Sequence, residues 1–219
     1  MPDWVDWLLG GVCHQLPDHS LVYDGQVAPL CARCTGLFCG ALFVLVVLAA
    51  GGTWRRRGRL PWFVQGTLLA LAVWWALDGL NALAFEMMGR PLLYQPTNGL
   101  RLLTGLGMGV AMGTGLWALG AEMLSQAQDQ RPAIEKGWHL AGLLATAGMV
   151  GALLLSPSVP WALVAIWSAL GVVALLVGAN GLLVMTVTRR SGPLAVLGGV
   201  ALALAETGAI ATVRGWIGF

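Results

Sequence analysis

Residues 31–50 read "CARCTGLFCGALFVLVVLAA", which joins a pair of cysteines to a long apolar run. No charged residue follows Thr35 in this stretch, and a helix of about 20 apolar residues is long enough to cross the hydrocarbon core of a bilayer. The stretch therefore predicts a membrane-spanning helix, from about Cys34 to Gly51, that begins at a Cys-x-x-Cys pair.

The composition of the whole chain is typical of a polytopic membrane protein. Of its 219 residues, 58% are hydrophobic and only 10% are charged, whereas soluble domains carry roughly 25% charged residues. A net charge of +2, with no basic block interleaved with aromatics, argues against binding of nucleic acid. The lipid bilayer is therefore the expected partner, and composition leaves the oligomeric state open. The N-terminus has no basic region before its short apolar run, which predicts that no secretory signal is cleaved there.

Five further apolar stretches are long enough to span the bilayer, and breakers and charges fill the connections between them. The predicted fold is all-α, with about six transmembrane helices in residues 34–219 and a polar, Cys/His-containing segment in residues 1–33. A short interfacial helix is expected at Trp4–Leu9. The predicted spans are Cys34–Gly51, Trp62–Phe85, Asn98–Leu124, Trp138–Leu155, Trp161–Val187 and Leu194–Val213.

The loop arginines and lysines predict the orientation of these spans. Of the 12 basic residues, eight fall in the loops after the first, third and fifth spans, and the other four lie on the opposite side. Short cytoplasmic loops carry the excess of Lys and Arg. We therefore expect a multi-pass protein of the cell (inner) membrane, with both termini and the Cys/His segment outside the cytoplasm.

Two carboxylates stand well inside predicted spans, Asp78 and Glu206. A charge in hydrocarbon costs at least a few kcal/mol and usually has a role, so both are candidate catalytic residues. Asn81 shares a helix face with Asp78, and Asn98 has the same spacing to Arg101. We predict that these two asparagines and Arg101 bind substrate, because a guanidinium suits the oxygens of a phosphate or an anionic head group.

The same residues allow two other interpretations. Asp78 and Arg101 would form a structural ion pair that joins the second and third helices. Alternatively, Asp78, Glu206 and Arg101 would line the pathway of a proton-coupled transporter or channel, since intramembrane carboxylates suit that role equally well.

Glycines at four-residue spacing predict close helix packing. Gly36 and Gly40 lie on the first span, and Gly105, Gly109 and Gly113 lie on the third. Small residues at this spacing let two helix backbones approach closely in lipid.

All four cysteines and two of the three histidines lie before residue 40. Cys31 and Cys34 can bind one metal ion, and Cys13 with His14 would complete a Cys₃His zinc site, with His19 as the alternative histidine. Two alternatives stay open outside the cytoplasm, where oxidation competes with metal binding. One is a disulfide from Cys13 to either cysteine of the pair, and the other is a thiol–disulfide redox protein.

At these residues the chain resembles a known family, the predicted prokaryotic membrane proteins of domain of unknown function 2085. The resemblance rests on three motifs, "CHQLPDHS" (13–20), "CARCTGLFCG" (31–40) and "NGLRLLTG" (98–105), and runs from Gly11 to Gly109. His19 stands where the family pattern has arginine. The resemblance implies that the Cys/His segment and the Asn98/Arg101 segment form one unit, but it names no reaction. Together with the residues, it favours a zinc-dependent site that holds a lipid-borne or small anionic substrate.

Overall fold

The computed structural model describes residues 9–124, 129–189 and 192–217. These residues contain six helices that are long and apolar enough to cross a membrane, which confirms the predicted all-α architecture. The interfacial helix predicted at Trp4–Leu9 lies, apart from its last residue, outside the described residues. The helices are α1 (Ala32–Ala50), α2 (Trp62–Met88), α3 (Asn98–Leu124), α4 (Gly137–Leu154), α5 (Trp161–Thr188) and α6 (Pro193–Ile217).

Helices α1 and α3 form the centre of the bundle and touch through their glycines. A Cβ added at Gly36 would collide with the backbone of Leu102, and one added at Gly105 would collide with the backbone of Arg33. The other three glycines of the two series make similar close approaches between the same helices. The predicted packing role of both series is therefore confirmed, and at these positions any side chain would push the helices apart.

The remaining helices surround this pair. Helix α5 packs against α1, where a Cβ at Gly171 would meet the Phe38 backbone, and α6 packs on α5. Helix α2 lies against α3, while α4 contacts both central helices. The buried apolar residues are accordingly concentrated on α1, α3, α4 and α5.

Successive helices alternate in direction, so the connecting segments collect at two faces. The cysteine face consists of residues 9–31, 89–97 and 155–160, and the arginine face consists of residues 51–61 and 129–136. Which face meets the cytoplasm stays a prediction.

A small hairpin covers part of the cysteine face. Strands β1 (Val22–Tyr23) and β2 (Gln26–Val27) pair antiparallel around a turn at residues 24–25, both of which have positive φ. The Tyr23 side chain is buried, and its hydroxyl donates to the carbonyl of Leu154 at 2.5 Å. The segment between the first two cysteines is thereby held against the end of α4.

The arginine face carries the second pair of strands. Strand β3 (Arg56–Gly58) follows α1 and pairs in parallel with β4 (Asp129–Pro132), which follows α3. A Cβ at Gly58 would collide with the backbone of Gln130, so glycine permits this close pairing. The loops after the two central helices are joined as a result.

The polar N-terminal segment packs onto the helices. Leu9 and Leu30 are buried in one apolar cluster with Phe38 of α1 and Val172 of α5. The division of the chain into residues 1–33 and 34–219 stays a prediction.

Candidate metal centre

Three cysteines that are distant in sequence meet at the start of α1. The sulfur atoms of Cys13, Cys31 and Cys34 all lie within 4.8 Å of one another. Cys31 is the N-cap of α1 and Cys34 lies in its first turn, so their three-residue spacing places both on one side of the helix end. Cys13 lies in the N-terminal segment, before the hairpin. It follows a turn in which its N–H donates to the Leu9 carbonyl at 3.1 Å.

The surroundings of Cys13 favour its thiolate. The backbone N–H of Cys31 donates to the Cys13 sulfur at 3.2 Å, and that of Gln15 donates at 3.4 Å. Hydrogen bonds with the Cys31 and Cys34 side chains are the largest cause that lowers the pKa of Cys13 far below its ordinary value, against the opposing effect of burial. A lowered pKa matters because the thiolate is the form that binds a metal or attacks as a nucleophile.

His14 is placed to act as a fourth ligand. Its Nδ1 atom lies 3.7 Å from the Cys13 sulfur. A tetrahedral zinc site with Zn–S of about 2.3 Å and Zn–N of about 2.0 Å separates sulfur from nitrogen by roughly 3.5 Å. Hydrogen bonds with Cys13 and then Cys31 raise the pKa of His14 to about 10. Without metal, an imidazolium therefore stabilises the thiolate group.

A chain of polar contacts leads from His14 to the end of α2. Its Nε2 atom lies 3.2 Å from Nδ1 of His19, and Nε2 of His19 lies 3.4 Å from a carboxylate oxygen of Glu86. Burial is the largest cause that lowers the pKa of His19. Partners of this kind on the far ring nitrogen orient a metal-binding histidine and fix its tautomer.

Arg214 of α6 holds the backbone of residues 10–14, the loop that carries Cys13 and His14. Its Nη1 donates to the carbonyls of Gly10 and Cys13, each at 2.6 Å, and its Nη2 donates to that of His14 at 3.2 Å. A fixed guanidinium fork satisfies three carbonyls that no helix or strand would pair. The last helix therefore helps to position the first cysteine.

Asp78 pairs with Arg33, so the predicted ion pair between Asp78 and Arg101 is wrong. Nε of Arg33 donates to the Asp78 carboxylate at 3.1 Å, and Nη2 contacts the same oxygen. The fully buried carboxylate also accepts from the hydroxyls of Tyr94 (2.8 Å) and Thr104 (3.1 Å). Arg33 sits between the paired cysteines at the start of α1, and its side chain extends from there to Asp78 on α2.

The two asparagines predicted to bind substrate are engaged by the chain itself. Asn81 is fully buried, and its amide donates to the Tyr94 carbonyl at 2.7 Å and accepts from backbone N–H groups of residues 92–94. Asn98 donates to the carbonyls of Asp18 and Ser20, both at 3.1 Å. Both asparagines therefore tie loops together at the cysteine face.

A cleft of about 190 Å³ opens beside the cysteine cluster. Arg101 lines it with Nη1 bonded to Asn98 at 3.0 Å, while Nη2 lies 3.8 Å from Glu86, beyond hydrogen-bond reach. The volume is below the roughly 300–1,000 Å³ of drug-sized pockets, so the cleft suits a small group. The polar residues that line it are His14, His19, Cys31, Arg33, Glu86 and Arg101.

Glu206 does not line this cleft. Its carboxylate accepts from the Asn180 amide at 2.9 Å, which joins α6 to α5. Asp78 does not line the cleft either. Of the predicted site residues, the structure thus brings together the three cysteines, His14 and Arg101, with His19 beside them.

Three site residues were not predicted: Arg33, Glu86 and Arg214. Glu86 and Arg214 were visible only as charges near helix ends, where most charges are solvated, and Arg33 stood inside the second family motif without an assigned role. The signal available was position, because all three fall on the side of the spans that carries the cysteines.

Residues 13–114 match the model of the family described as "Predicted membrane protein (DUF2085)". The match confirms the family resemblance, and it contains the cysteine cluster, α1, α2 and the greater part of α3. Arg214 and Glu206 lie outside it. No curated protein and no solved structure matches the chain.

Proposed function

We propose that Cys13, Cys31, Cys34 and His14 bind one zinc ion at the cysteine face. The observation that carries the proposal is the cluster of three sulfurs within 4.8 Å. Sulfurs in a tetrahedral zinc–thiolate site lie roughly 3.8 Å apart, so a small inward movement would complete the geometry. Thiolate and imidazole donors together favour zinc over calcium or magnesium, which prefer oxygen.

The zinc role supported best is structural. Four protein ligands leave no position for water or substrate, and three thiolates would bring the net charge of the site to about −1. When bound, the ion would supply a rigid tetrahedral junction between the N-terminal loop and α1. That junction fixes Cys31 and His14, and both line the cleft.

The cleft next to this junction is proposed to hold a small anionic group, from either a lipid head group or a free phosphate. Arg101 provides a guanidinium whose Nη2, among the residues that the structure describes, is paired with Glu86 alone and at 3.8 Å. His19, whose two ring nitrogens contact His14 and Glu86, lines the same cleft. The protein would then be a zinc-stabilised membrane receptor or enzyme for an anionic, phosphate-like ligand.

A metal-dependent enzyme is the second candidate, and the position of His14 favours it. His14 lines the cleft and also contacts His19. If His14 were not a ligand, the zinc ion would have three protein ligands, and its fourth position would open towards the cleft. Glu86 is the carboxylate among the residues that line the cleft, and it would act as the base there. Asp78 is saturated by its partners, which weakens its proposed catalytic role and the transport alternative alike.

Elemental analysis of the purified protein tests the metal. We expect about one zinc per chain, lost in Cys31→Ser and Cys34→Ser but retained in Cys39→Ala, since Cys39 is buried in α1 and contacts Ser168 at 3.5 Å. Metal-free protein whose thiols react only after reduction would refute the zinc site and support the disulfide or redox alternative.

Titration with inorganic phosphate and with phosphatidate vesicles tests the ligand. Arg101→Gln should weaken both if the cleft binds the phosphate itself, or only the vesicles if it binds a lipid head group. Unchanged binding of both would remove the anion proposal while leaving the zinc proposal intact. The transport alternative is tested by measuring proton-coupled flux in liposomes that contain the Asp78→Asn variant. Transport through Asp78 requires this variant to abolish the flux, and an unchanged flux would remove the alternative.

We infer further that the cysteine face lies outside the cytoplasm. The support is the bias of basic residues towards the arginine face. Asp24→Cys should react with an impermeant thiol reagent added to intact cells, and Arg57→Cys should not. The parent protein is the control, because its own cysteines are buried or half-buried.

A further inference from the structure

A second cleft opens at the arginine face, between the end of α1 and the first half of α4. Its volume is about 430 Å³, which falls within the roughly 300–1,000 Å³ of ligand pockets. No part of the metal centre contributes to it. The residues that line it include Val47, Leu48, Arg56, His139, Leu143 and Thr146.

Polarity changes along the depth of this cleft. Helix α4 begins at Gly137, so His139 lies in its first turn, near the membrane surface. Thr146 lies seven residues further along α4, about 10 Å deeper at 1.5 Å per residue, and its hydroxyl donates to the carbonyl of Gly142 within the helix. Leu143 and the α1 residue Val47 provide apolar walls between these levels. The cleft therefore has a polar mouth and an apolar interior, as an amphiphile requires.

The loop at the mouth is basic, and Asp129 lies opposite Arg56 in the paired strand. The loop after α1 carries four arginines within residues 55–59 and no acidic residue. Arg55 lies over the Trp54 ring, and Arg57 donates to the Glu122 carbonyl at 2.8 Å. Within the described part of the chain, the Arg56 side chain forms no hydrogen bond or salt bridge, and it lines the cleft.

We propose that this cleft binds one anionic phospholipid of the surrounding bilayer. The phosphate contacts Arg56 at the mouth, and one acyl chain follows α4 past Leu143. Basic pockets between transmembrane helices recognise anionic head groups in this way. The site is independent of the metal centre and survives if the zinc proposal fails.

Native mass spectrometry of the detergent-purified protein, titrated with phosphatidylglycerol or phosphatidylcholine, tests the proposal. Phosphatidylglycerol should bind more tightly. Arg56→Gln should weaken its binding about fivefold, the ratio that corresponds to about 1 kcal/mol per basic residue at an anionic surface. The control is Arg59→Gln, an exposed arginine of the same loop that does not line the cleft.

The acyl-chain contact has its own matched pair of variants. Gly142 lines the cleft, and a Cβ added there meets nothing within 4 Å, so Gly142→Leu fills the cleft without disturbing the fold. Gly148 on the same helix is equally open but lies outside the cleft, so Gly148→Leu is the control. We expect lost lipid binding in the first variant alone.

Three outcomes would overturn the proposal. Equal binding of the two phospholipids would show that charge is not recognised. Equal effects of the Gly142 and Gly148 variants would show that the cleft does not hold the acyl chain. Competition by millimolar inorganic phosphate, together with an inert Gly142→Leu, would assign Arg56 to a free anion instead.

Discussion

Removal of Arg33 should destabilise the protein far more than an ordinary ion-pair deletion. In Arg33→Met the carboxylate of Asp78 stays buried, with no exposed surface, and loses its charged partner. Breaking a buried ion pair from one side costs about 3–5 kcal/mol, because the remaining charge is desolvated without compensation. The hydroxyls of Tyr94 and Thr104 remain as donors, which places the expected loss at the lower end, about 3 kcal/mol.

The chain contains a matched control for this effect. Arg131 binds Asp129 through two contacts of 3.0 Å, but 63% of the Arg131 side chain is exposed. Exposed ion pairs contribute about 0–1 kcal/mol. Arg131→Met should therefore leave the free energy of unfolding nearly unchanged. Both variants delete an arginine–aspartate pair, one buried between two helices and the other exposed within a single strand.

The assay is denaturant-induced unfolding in detergent micelles, followed by tryptophan fluorescence, for both single variants and for Arg33→Met combined with Asp78→Leu. The double variant should recover most of the loss, because no buried charge remains unpaired. Two results would refute the reasoning. One is an Arg33→Met variant as stable as Arg131→Met, and the other is a double variant less stable than Arg33→Met alone.

Three other predictions concern the remaining contacts. His19→Ala should weaken zinc affinity about 10–100-fold, measured by competition with a chromogenic chelator, since it removes the direct partner of the far ring nitrogen of His14; unchanged affinity would contradict that role. Gly109→Leu should abolish folded protein in size-exclusion chromatography, while Gly115→Leu on the same helix, where a Cβ meets nothing within 4 Å, should not. Tyr94→Phe should cost about 1.5–3 kcal/mol of unfolding free energy, the contribution of a hydrogen bond to a charged group; no loss would show that the 2.8 Å bond contributes nothing.

The sequence predicted those features that follow from local pattern. Each helix was predicted to within a few residues, because about 20 apolar residues can hardly form anything else in lipid. The cysteine cluster was predicted because Cys and His are rare here and have few chemical roles. The glycine series was recognised from its four-residue spacing, which matches one side of a helix.

Partner choice between helices was the part that sequence could not supply. Asp78 was identified as a residue that needs a partner, and Arg101 was predicted, because the sequence contains no distance from Asp78 to Arg101 or to Arg33. The choice depends on how α1 and α3 lie relative to α2, and only the three-dimensional packing contains those distances. The same applies to Arg214, which lies about 200 residues from the loop that it holds.

The Cys-x-Arg-Cys motif at residues 31–34 carries two of the proposed metal ligands and also the partner of Asp78. Residues on a helix are about 100° apart, so Arg33 projects about 100° away from Cys34 and about 200° away from Cys31. The sulfurs therefore face the N-terminal loop while the guanidinium reaches α2. A carboxylate in a membrane span costs at least a few kcal/mol unless it is paired, and here its partner stands on the helix turn that the metal would fix. Metal binding and the burial of Asp78 should consequently stabilise each other, because both require the same first turn of α1.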